Sequence, residues 1–256
     1  MSDVNFSQNA PAVPAGAGAP TMSTPETLAG IFFEPERTFE ALRERPRFLV
    51  VGLIILALSL GVITLVMQKV NFNEFITAQI RKQTQDEAQR ERATKIWTGP
   101  AGKFFVYGLP VVAVAVSFAA GGALYMLATM AMGGAIRYKQ AVSVWGYSGF
   151  PPTLLASLVA LVLLFMKAKE DIDLNRSGAG LAVTNLGALL GAGSSPVLRA
   201  ALGWFDVFTF YGMFLAALGL RKVGKLSAGS AWTIVLVFWF LAMIFSVCRA
   251  LISPAG

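Results

Sequence analysis

WFDVFTFYGMFLAALGL, from Trp204 to Leu220, decides how this chain folds. It has the apolar character and nearly the length of a bilayer-spanning helix, yet Asp206 falls inside its first turn. No other carboxylate in the sequence lies in so hydrophobic a setting. A charge there is tolerated when it faces other helices or a water-filled crevice. The stretch therefore predicts a multi-span membrane protein.

Composition agrees. The 256 residues are 55% hydrophobic, and the mean hydropathy of +0.63 lies outside the range of soluble domains. The net charge of +7 does not point to nucleic acid, because the basic residues flank apolar blocks instead of forming a tract. Such residues set orientation and meet anionic lipid. Histidine is absent and Cys248 is the sole cysteine. That excludes an internal disulfide, a Cys/His metal site and a Ser-His or Cys-His catalytic pair. No cofactor is expected.

Outward from the deciding stretch, four more blocks read as spans. Residues 48–67 contain no charge, and at ~1.5 Å per residue they cross the ~30 Å hydrocarbon layer. Residues 104–134 exceed what a perpendicular span needs, so they must tilt or protrude, with Pro110 a candidate kink. Ser117, Gly121 and Gly122 give that block a small-residue face for close helix approach. The third block opens at Ala141, and the paired Pro151-Pro152 should break it, leaving 148–166 as the span. The deciding stretch is the fourth span, 204–220, with Gly212 and Ala216 as a second small-residue face. Residues 231–252 are the fifth. The fold class is thus all-α, a polytopic bundle of five transmembrane helices.

Between and before the spans the character is polar. Residues 1–23 lack periodicity and read as a disordered tail without the basic start and apolar core of a signal peptide, so no cleavage is expected. Thr24-Pro25-Glu26 marks a helix start with Thr24 as cap, and Glu34-Pro35-Glu36 a restart. Residues 24–47 therefore predict two short amphipathic helices, lying either on the membrane surface or packed under the bundle. Residues 68–103 read as a solvated extramembrane connection, with one helix from Asn73 to about Ala93. Residues 181–190 read as an interfacial or re-entrant helix. The Gly-Ala-Gly triplets nearby have no preceding strand and no Gly-Lys-Ser, which rules out a phosphate loop.

Five spans place the chain ends on opposite sides. Arg37, Arg43, Arg45 and Arg47 before the first span, with the short Arg221–Lys225 connection, favour a cytoplasmic N-terminus.

A family resemblance rests on short motifs. A Pro-centred amphipathic lead, Phe33-Glu34-Pro35 then Phe39-Glu40-Ala41-Leu42, precedes the spans. Trp145-Gly146-Tyr147-Ser148 and Pro151 open the third, and Asp206-Val207-Phe208 followed by Leu218-Gly219-Leu220 mark the fourth. Over residues 28 to 250 the chain resembles the Yip family, membrane proteins named for binding Ypt/Rab GTPases. The resemblance implies a cytosolic N-terminus, five membrane helices and a non-enzymatic role. The Ala/Gly/Arg-rich chain is more similar to a bacterial branch in the cytoplasmic membrane, where Rab proteins are lacking, so a Rab-type partner is not carried over. The 68–103 insertion departs from the family's compact pattern.

Two functions follow. The first is a scaffold or interaction protein that engages the lipid bilayer, other membrane proteins or a second copy of itself. The second is a transporter, channel or lipid-moving bundle centred on Asp206. Under the first, Asp206 makes a structural contact, with Arg199, Asn185, Tyr125 and Tyr147 as candidate partners. Under the second it holds a substrate or ion.

Overall fold

A computed structural model of the chain describes residues 22–169, 172, 181, 184–191 and 193–252. The tail at 1–21 and the glycine triplet at 178–180 lie outside the described residues. Two short helices, α1 (Thr24–Phe33) and α2 (Pro35–Glu44), lead into α3 (Leu49–Val70). Then come α4 (Phe72–Gln83), α5 (Glu87–Thr98) and α6 (Pro100–Lys103), which runs through a π turn at Phe104–Gly108 into α7 (Leu109–Ala131). The chain continues with α8 (Tyr138–Met166), a 3-10 turn (Leu186–Leu189), α9 (Pro196–Leu202), α10 (Val207–Gly224) and α11 (Ala228–Ile252). Among the described residues, five helical stretches are long and apolar enough to cross a membrane: α3, α6 through α7, α8, α10 and α11.

α10 lies at the centre, packed on α8, α2 and α11, while α8 also carries α7 and α3. Half of its 18 residues are buried, against 11–22% of the most apolar 18 residues of each other long helix. Its hydropathy is also lowest, 1.2 against 2.1–2.9. A helix surrounded by protein needs less lipophilic surface than one surrounded by lipid, so position and composition agree.

Several local expectations shift. The cap of α1 is Ser23, not Thr24: its hydroxyl accepts from Glu26 N–H, and the Glu26 carboxylate accepts from Ser23 N–H at 2.6 Å. The predicted helix from Asn73 is two helices. Asn71, at φ +51°, turns the chain out of α3, and Asp86 caps α5 by accepting from Ala88 N–H at 2.9 Å. Among the described residues of 181–190 there is no helix beyond the 3-10 turn at Leu186–Leu189, which Asn185 caps by accepting from Ala188 N–H at 3.0 Å.

Pro151 and Pro152 do not break α8, which is continuous for 29 residues. They remove the N–H partners of the Tyr147 and Ser148 carbonyls only, and packing inside the bundle holds the remaining turns. Pro110 stands two residues past the π turn, as the second residue of α7.

α1 and α2 pack under the bundle. Phe39, fully buried, lies against Gly219 of α10; a Cβ there would stand 2.8 Å from Phe39 Cε1 and 2.7 Å from Val144 Cγ1. Lys222 Nζ donates to Glu36 Oε2 at 2.8 Å and to Glu40 Oε1 at 2.9 Å, and Arg221 Nη2 reaches Glu36 Oε1 at 3.3 Å. The Lys222 ammonium bonded to Glu36 holds that carboxyl below its ordinary value. Gln140 Nε2 ties the C-terminus of α2 to α8 by donating to Arg43 O at 2.6 Å. This docked end therefore carries the start of α8 and the end of α10. At the opposite end Lys69 of α3 donates to the Leu164 carbonyl and, at 2.6 Å, to the Lys167 carbonyl, closing the C-terminus of α8.

Candidate functional site

Asp206 stands just before α10, at its N-cap, and not within the first turn. Its backbone is extended (φ −125°, ψ 135°), which aims the side chain back at the free amides of the helix. Oδ1 accepts from Phe208 N–H at 2.8 Å and Thr209 N–H at 3.0 Å, and Oδ2 accepts from the Thr184 hydroxyl. The negative charge thus meets the positive end of the α10 dipole.

The candidate partners of Asp206 fall in different places. Asn185 meets it through an antiparallel backbone bridge, beside which Leu186 N–H donates to Phe205 O at 3.1 Å. The Asn185 side chain caps the 3-10 turn. Arg199 donates from Nη2 to Gly191 O at 2.8 Å, and among the described residues Asp206 has no ion pair. Tyr147 is at the docked end, its hydroxyl 3.0 Å from Thr27 Oγ1, with both residues buried. Pro151 lies within α8.

Trp145 and Tyr125 contribute to a different feature. A crevice of about 560 Å³ opens in the side of the bundle, bounded by α3, α7, α8, α10 and α11. Its walls are aromatic: Tyr125 stands edge-on to Trp145 at 5.1 Å and stacks on Phe238 at 6.0 Å, while Trp204 and Trp239 close the far side. Two of the indole N–H groups in the walls bond within the bundle. Trp145 Nε1 donates to Ser117 Oγ at 3.2 Å, and Trp239 Nε1 to Trp204 O at 3.3 Å. Ser148, Thr153 and Thr209 add hydroxyls to the lining. Thr209 also donates its amide to Asp206, so the cap fixes one edge of the crevice.

Small residues make the crevice walls approach. Gly212 lies where a Cβ would stand 3.3 Å from Pro152 Cγ and 3.5 Å from Ser148 O, so the small-residue face of α10 does meet α8. Thr184 lies in the 181–190 stretch that reads as an interfacial or re-entrant helix, and nothing in local spacing links it to an aspartate 22 positions later. Ser117 and Trp239 likewise depend on tertiary packing.

Comparison with protein families matches residues 29–249 to the Yip1 domain. A relative described as "Membrane protein YknW", from Bacillus subtilis (strain 168), is 24% identical over 238 residues, covering 92% of this chain and 95% of its own length. No solved structure matches the chain.

Proposed function

The chain belongs to the Yip1 domain family of membrane proteins, and from that premise we propose that it is a non-enzymatic scaffold that engages a membrane protein partner or a second copy of itself. The side-opening, tryptophan-lined crevice carries this reading. It offers a shaped surface inside the bilayer, lined by aromatic anchors of the kind that dominate interface energies. The carboxylate beside the crevice edge at Thr209 is already occupied by an internal contact, since Asp206 caps α10. We place α1 and α2 in the cytoplasm of a bacterial cell, supported by the four arginines ahead of α3 and the basic turn after α10. The 68–103 connection then lies on the outer side.

A photo-crosslinking residue at Ala242, in the crevice wall, tests this. The expected result is a discrete protein adduct in native membranes, either a dimer or a defined complex, with far less from a residue at Leu53 on the exposed face of α3. Lipid adducts alone from Ala242 overturn the reading.

A further inference from the structure

At the docked end, away from the crevice, a second cavity of about 540 Å³ lies where three separate parts of the chain converge. The end of α2 supplies Arg43 and Glu44, the α7–α8 turn supplies Arg137, and the turn after α10 supplies Lys225. Three cations thus face one carboxylate. Arg43 pairs with Glu44 at 3.2 Å, whereas Arg137 and Lys225 form no ion pair among the described residues. The cavity sits where α7 ends and α8 begins, at the ends of two helices of membrane-crossing length, and the headgroup layer borders the ends of such helices.

Lys225 has a backbone that its side chain disfavours. It lies at φ +56°, ψ +34°, the left-handed conformation that ends helices and is ordinarily taken by glycine or asparagine. The neighbouring turn uses glycine for the same purpose at Gly133, φ +78°. A lysine held in that conformation at a cationic cavity is an outlier of the sort found at binding sites.

We propose that this cavity binds a phosphate group, with Arg137 and Lys225 as its main ligands and Arg43 as support. At headgroup depth the phosphate is that of an anionic lipid, and the alternative source of the same chemistry is a free oxyanion. The assignment stands apart from the scaffold function, since it uses the opposite end of α10 from the crevice edge at Thr209.

The test measures binding to the purified full-length chain in neutral detergent. The probes are dioctanoyl phosphatidylglycerol, dioctanoyl phosphatidylcholine and inorganic phosphate. Arg137→Gln and Lys225→Gly should each weaken phosphatidylglycerol binding by about fivefold, the effect of one basic residue at a membrane surface. Lys225→Gly also relaxes the backbone, so its melting temperature should hold or rise while binding falls. Preference for phosphatidylglycerol over phosphatidylcholine, with little competition by inorganic phosphate, assigns the site to a headgroup. Strong competition by inorganic phosphate assigns it to a free oxyanion. Equal binding of the two lipids, or no loss in either variant, overturns the proposal.

Discussion

Asp206 reads in the sequence as either a structural contact or a transport position, and in the structure it is a helix cap. The distinction has a measurable form, because asparagine caps a helix about as well as aspartate and alanine does not. Asp206→Asn should leave the melting temperature of the detergent-purified chain nearly unchanged. Asp206→Ala should destabilise it by about 0.5–2 kcal/mol. Equal, large losses in both would assign the stabilisation to the charge and not to the cap. At Gly219 the constraint is steric: alanine brings its Cβ within 2.8 Å of Phe39. That overpacking should cost about 1–3 kcal/mol, read as a lowered melting temperature. Glu36 adds a pH dependence. Its carboxyl is held below the ordinary 4.5 by Lys222, so its contribution is present above that pH and is lost as the pH falls through the lowered value. Glu36→Gln should flatten the acid limb of a stability–pH curve.

Elements differ in how plainly the sequence announces them. The uncharged run of α3 and the aromatic run of α11 are legible because lipid exposure demands continuous apolar surface. The continuity of α8 is not, since Pro151-Pro152 signal a break and only packing against α10 and α3 overrides it. The crevice is still less legible. Its walls come from five helices, and although Trp145, Tyr125 and Gly212 stand out in the sequence, their convergence depends on tertiary contacts. The Lys69 closure of α8 is another long-range element contact, joining residues about a hundred positions apart. Lys69→Met keeps the apolar stem and removes the donor. It should lower stability by about 1 kcal/mol, measured by thermal unfolding in detergent, with α8 fraying first.

For the whole molecule, if each of the five long apolar helices crosses the membrane, α5 and the start of α8 lie on opposite sides of it. In a Cys248→Ser background, Glu91→Cys and Lys139→Cys should react with an impermeant maleimide from opposite faces. Labelling from the same face would remove the five-span arrangement. The docked hairpin also explains why the central helix is the least apolar: α10 exchanges lipid contact for α2, α8 and α11.

The clasp between α2 and α10 joins residues 182 and 185 positions apart. At ~5–20 residues per second, a ribosome needs roughly 9–36 s to travel from one partner to the other. Through that interval Phe39 has been made and Gly219 has not. The nascent hairpin must therefore wait, its greasy side uncovered, until the fourth crossing is translated, and a chaperone or the bilayer surface itself has to shelter it meanwhile.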